Sequence, residues 1–248
     1  MHKRNKNVED AKINQTLVQH LDELRKRLIY SILWLVVFTI IAYNYSDVVV
    51  KDMVNKAPDM NFVFIAPAEL FMAYIKIALI CAVALSLPFI LYNVWMFLSP
   101  GLERNEKKVI LIALFSGGIL FILGALFGYM VTLPLSLKFF GEFSIAEVQA
   151  MISFNNYLSF ASTLVLAFGI VFELPILMVL LVQFNIIKTE FLKKNRKVMV
   201  LVIFIFAAVL TPPDVISQTL LAIPMLILYE IGIFFSNIAE KRKLKNNS

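Results

Sequence analysis

The residues in this sequence best suited to chemistry are carboxylates placed where their charge is costly or where cations crowd them. Glu173 lies in Phe168-Gly169-Ile170-Val171-Phe172-Glu173-Leu174-Pro175, near the middle of the apolar stretch 158–187. An acid at the centre of a membrane helix costs roughly 3 kcal/mol on insertion scales, so its carboxyl should face a cavity, a partner or a proton. Pro175 implies a local helix break at the same place. Glu23 sits in His20-Leu21-Asp22-Glu23-Leu24-Arg25-Lys26-Arg27, a strongly basic segment. It can pair with Arg27 one turn on, or receive a cationic ligand that the surrounding charges would otherwise repel. Glu103 and Glu106 follow Ser99-Pro100-Gly101-Leu102 and fall in the first turn of the next helix, where the helix dipole favours acids. Glu230 follows Tyr229 near the end of the last apolar stretch, where water can reach it.

Other chemistries lack their residues. Both histidines, His2 and His20, precede the first apolar stretch, and the lone cysteine, Cys81, lies inside one. No metal cluster, phosphate loop or nucleophile elbow is present, so neither cofactor nor metal is expected and an enzyme is disfavoured. With no nucleotide site, active transport would have to draw its energy from elsewhere.

The elements that must position these acids are membrane helices. The 248 residues are 60% hydrophobic and only 16% charged, with a mean hydropathy of +0.82. Apolar stretches fall at 28–45, 70–98, 109–137, 158–187, 198–210 and 215–238, and a spanning helix needs roughly 20 such residues. The fifth is short. Thr211-Pro212-Pro213-Asp214 then forces a turn, because paired prolines cannot continue a helix. The expectation is an all-α integral membrane protein with six transmembrane helices, the last two short.

Lys and Arg concentrate before residue 28 and at 104–108, 188–197 and 241–245, whereas the alternate loops hold Lys51, Lys56 and Lys138. By the positive-inside rule both termini are cytoplasmic, and the basic residues are topology signals, not a nucleic-acid site. Residues 1–248 read as a single polytopic domain. Within it, 1–27 is a cytoplasmic amphipathic segment, with Leu17, Leu21, Leu24 and Leu28 on one face, and 239–248 is a basic cytoplasmic tail. No cleavable signal peptide is expected. Lys76 should snorkel to the outer end of its helix and leave Glu173 alone. Ala113, Gly117, Gly124 and Gly128 form a small-residue face for close helix approach.

Several segments in order resemble the TatC family, the receptor subunits of twin-arginine protein translocases. They are His20 to Arg27, Trp95-Met96-Phe97-Leu98-Ser99-Pro100-Gly101-Leu102 with Glu106 beyond it, Phe168 to Pro175, Leu210 to Pro224, and Leu228-Tyr229-Glu230-Ile231-Gly232. The resemblance implies a receptor for folded export proteins whose signal peptides carry paired arginines, held at the cytoplasmic face by Glu23 and Glu106. Arg25 and Phe97 would shape that site, and Glu103 replaces the aromatic residue usual after Pro-Gly-Leu. The resemblance further implies single-span TatA- and TatB-type partners, met at Glu173 and Glu230 within the membrane and at Thr211, Pro212, Pro213, Asp214 and Gln218 on the outer face. It also implies transport driven by the proton gradient of a bacterial plasma membrane or an equivalent organellar membrane. A homo-oligomer is compatible with this reading. Two rivals stay open from the residues alone: an ion-coupled solute transporter using Glu173, and a membrane-embedded enzyme lacking a visible catalytic cluster.

Overall fold

A computed structural model describes residues 2–57, 61–63, 66–102, 104–142, 151–210 and 215–246. The chain opens with α1 (His2–Asn55), a single helix of 54 residues. Its length has a simple cause: the segment contains neither glycine nor proline, so nothing separates the amphipathic N-terminal stretch from the apolar one. A short strand β1 (Asn61–Val63) follows, then α2 (Pro67–Leu98), which starts with proline in its first turn where no amide partner is needed. A 3₁₀ turn at Ser99–Gly101 leads to α3 (Arg104–Phe127), with Glu106 in its first turn.

α3 passes through a π turn, Gly128–Thr132, into α4 (Leu133–Glu142). Pro134 explains the wide turn: it lacks an amide hydrogen and its ring crowds the carbonyl four residues back, and one extra residue relieves both problems. β2 (Met151–Ser153) pairs in parallel with β1, Phe62 opposite Ile152. The all-α expectation thus omits a two-stranded clasp. Its anchor is Phe62, whose ring lies 4.8 Å from Tyr157 and 5.8 Å from Phe154.

The anticipated break at Pro175 is present. α5 (Phe154–Val171) stops just before Glu173 and α6 (Leu174–Gln183) resumes after it, with Pro175 in the opening turn. α6 ends in a tight reversal in which Asn185 takes φ 56°. The Ile186 amide donates to the Leu181 carbonyl at 2.9 Å and the Asn185 amide to Val182 at 3.0 Å, so the last carbonyls of the helix are satisfied. α7 (Thr189–Lys194), α8 (Arg196–Leu210) and α9 (Val215–Asn246) complete the chain.

Five stretches of the described residues are long and apolar enough to cross a bilayer: Gln19–Asn55, Ala68–Leu98, Glu106–Gly141, Phe154–Gln183 and Gln218–Lys243. α8, with 15 residues, falls short of that length. α5 is the hub. It packs on α2 and α3, while α1 runs along α2 and α6 along α9. Phe168, Leu158 and Leu164 of α5 are fully buried together with Leu133 and Leu221. Large apolar side chains of α1, α3 and α8 point outward in rows, which is the arrangement hydrocarbon stabilises and water does not.

Candidate functional site

At the end of the bundle nearest the chain start, the His20 ring stacks on Phe97 with centroids 4.5 Å apart and planes 22° from parallel. This contact joins α1 to the last turn of α2. His20, Glu23 and Arg27 share one helix face by their three- and four-residue spacing. Glu23 is half-buried there, and Arg27 Nη2 donates to its Oε1 at 3.4 Å. The local pair anticipated from spacing therefore exists, but at a distance too long to be a strong charge-assisted hydrogen bond. Arg27 Nε is buried without a partner among the described residues.

Five residues past the 3₁₀ turn, Glu106 is half-buried in the first turn of α3. Because α3 begins where α2 ends, Glu106 and Glu23 belong to the same end of the bundle. Arg25 is exposed on the opposite side of α1 from Glu23. Leu21, Leu24 and Leu28 are exposed too, so the amphipathic face anticipated from their spacing turns away from the other helices. Glu103 lies outside the described residues.

Glu173 occupies the junction between α5 and α6 and reaches toward α3. A Cβ added to Gly117 would lie 2.8 Å from its Oε2 and 3.3 Å from its Oε1, so the carboxylate rests directly over that glycine. The small-residue face of α3 serves this approach, with Gly128 taking the Phe168 ring farther along. No hydrogen bond or ion pair to the Glu173 carboxylate is found among the described residues. Lys76 is engaged elsewhere: its ammonium donates to Ser159 Oγ at 2.8 Å and Asn155 Oδ1 at 3.2 Å. It is held by α5 instead of simply reaching out to solvent.

Glu230 is tied down. Arg196 Nη2 donates to its Oε2 at 2.8 Å, linking the start of α8 to α9, and the neighbouring Tyr229 hydroxyl donates to the Leu192 carbonyl at 2.8 Å. Gln218 Nε2 donates to the Phe204 carbonyl at 2.8 Å and so pins α9 to α8. Thr211, Pro212, Pro213 and Asp214 lie outside the described residues. Sequence reasoning missed His20, Arg196, Asn155 and Ser159 as partners. His20 had the clearest signal, being three residues from Glu23 on the same face. The others meet their partners only through tertiary packing. Among the described residues, no group of three or more His, Cys, Asp or Glu could hold a metal.

A family model for the Sec-independent protein translocase protein TatC matches residues 19–224. The TatC protein of Carboxydothermus hydrogenoformans is 42% identical over 231 residues, covering 92% of this chain and 95% of that protein. TatC of Escherichia coli K12 is 39% identical, covering 92% and 90%. The crystal structure of the twin-arginine translocase receptor TatC superposes with a TM-score of 0.78 at 38% identity, over 89% of this chain and 99% of that one. Five membrane-length apolar helices, the ordered motifs and these likenesses have one meaning: the chain belongs to the TatC family and is an integral component of the bacterial membrane at the core of twin-arginine protein translocation.

Proposed function

We propose that this chain is the receptor of its translocase, binding twin-arginine signal peptides of folded proteins through Glu23 and Glu106 at the cytoplasmic face. The observation that carries this reading is the His20–Phe97 stack, which fastens the Glu23 face of α1 to the end of α2 that leads directly into the first turn of α3. Two half-buried carboxylates then share a basic surface. A guanidinium presents a planar fork that a carboxylate can bind bidentately, whereas an ammonium is a point charge. Binding would displace Arg27 from its long 3.4 Å contact with Glu23, a small loss against a charge-assisted bond. Phe97, Arg25 and Glu103 would frame the site.

The same reading makes residues 1–248 one membrane domain, with 1–27 a cytoplasmic segment, 239–248 a cytoplasmic tail, and α8 the short fifth of six crossings. The distribution of Lys and Arg supports cytoplasmic termini. Single-span TatA- and TatB-type partners would meet Glu173, whose carboxylate has no partner within the described chain, and the Thr211–Gln218 turn at the opposite surface. Glu230 would act in that assembly by holding α8 against α9. Transport would draw on the proton gradient.

The test is binding of a twin-arginine peptide and its twin-lysine counterpart to the purified protein in detergent. Wild type should prefer arginine, and Glu23→Ala/Glu106→Ala should lose about tenfold or more in arginine affinity, the scale of one charge-assisted hydrogen bond. An unchanged preference in the double variant would remove these two residues from the site.

A further inference from the structure

At the end of the bundle opposite Glu23, α1 and the first turns of α2 border an open hollow of about 360 Å³ lined by Tyr43, Ser46, Asp47, Leu70, Phe71 and Tyr74. Such a volume is at the lower end of what holds a small ligand group, about 300 Å³ upward. Ser46 is spent on its own helix, its hydroxyl donating to the Tyr43 carbonyl at 2.6 Å. Asp47 is not spent. It is exposed, accepts one hydrogen bond from the Tyr74 hydroxyl, and takes part in none of the ion pairs among the described residues. Lys51, one turn beyond it on α1, is exposed and leaves it unpaired.

The surroundings name the kind of occupant. Tyr43, Asp47, Phe71 and Tyr74 all fall within the membrane-length stretches Gln19–Asn55 and Ala68–Leu98. Ile40, Tyr45, Val48 and Met72 beside them turn large apolar surface outward. Lipid is therefore what lies against this pocket. A carboxylate beside three aromatic side chains favours a cation, which gains from the charge and from any ring face it meets. An interfacial tyrosine belt alone would need no carboxylate. We propose that the hollow holds the primary ammonium of a phosphatidylethanolamine headgroup, with Asp47 accepting from its N–H groups and the aromatic side chains of Tyr43, Phe71 and Tyr74 beside it. A quaternary ammonium has no N–H to give Asp47, and an anionic headgroup meets like charge. This site is separate from the peptide-binding surface and does not rest on it.

Native mass spectrometry of the purified chain, offered equal amounts of phosphatidylethanolamine, phosphatidylcholine and phosphatidylglycerol, tests the assignment. Wild type should retain the ethanolamine lipid best and the glycerol lipid least. Asp47→Asn should lower ethanolamine-lipid retention about tenfold and raise glycerol-lipid retention, because the like charge is gone. Asp47→Lys should invert the order, a gain that a misfolded protein could not mimic. Equal retention of the three lipids by wild type would overturn the lipid assignment in favour of a cationic peptide segment as occupant. An ethanolamine preference that survives both substitutions would overturn the role of Asp47.

Discussion

Glu173 and Gly117 are best understood as one unit. The carboxylate and the position of the missing methyl are separated by less than ordinary van der Waals distance, so Gly117→Ala forces the acid out of its place. The clashing atoms are the end of a flexible side chain that can swing aside, so the cost falls below the about 1–3 kcal/mol usual for overpacking a rigid core. The prediction is a small loss, under about 1 kcal/mol, in wild type and a gain of about 0.5–1 kcal/mol in a Glu173→Ala background, where only the better helix propensity of alanine remains, measured by denaturant unfolding in detergent as a double-mutant cycle. Equal losses in both backgrounds would mean that something other than the carboxylate fills the space. From sequence alone, the expense of Glu173 in hydrocarbon and the close-packing face of α3 were separately legible. That they meet was not, because the two lie far apart in the chain and only the kink between α5 and α6 aims one at the other. Glu230 makes the complementary point: its exposed setting near a tyrosine was readable, but its partner Arg196 comes from another helix.

Among the elements, the α6 terminus offers a clean test. Asn185 adopts the left-handed conformation that glycine tolerates freely and β-branched residues resist. Asn185→Val should therefore lower stability by about 1–2 kcal/mol, whereas Asn185→Gly should be close to neutral, both read from thermal unfolding. If valine were as stable as glycine, the reversal after α6 would not depend on this backbone state. Helix positions were largely legible because proline and apolar length dictate them, down to the break beside Pro175. The continuity of α1 follows the same rule, since it has no breaker and polarity alone does not end a helix. The β1–β2 clasp was illegible: three-residue strands carry too little pattern to register against long apolar helices.

For the molecule as a whole, thickness is the governing dimension. α8 supplies about 22 Å of helix at 1.5 Å per residue, against about 30 Å of hydrocarbon in a typical bilayer. The Glu106–Gly141 stretch, at 36 residues, is far longer than one crossing requires. A protein with so uneven a set of lengths should suit a thin membrane beside α8, whereas α9, contrary to the expectation of two short final helices, is long enough to cross. Reconstituted in lipids of increasing acyl length, it should lose thermal stability steadily, and Gln218→Ala, which removes the tie to Phe204, should steepen that loss. Stability independent of acyl length would argue that α8 does not face lipid.

The unbroken α1 has a mechanical consequence. With no glycine or proline to flex at, it is a rod whose positions 23 and 47 lie about 36 Å apart. Its seat against α2 includes the Trp34–Phe89 stack, 4.2 Å between centroids and roughly midway along that length. Such a rod transmits tilt as a lever does. A rocking of about 5° over that 36 Å arm moves one end by about 3 Å relative to the other, a shift the size of a hydrogen bond. Whatever grips α1 beside His20 at one end of this arm is thereby felt at Asp47 at the other, with no signal needing to pass through the core between them.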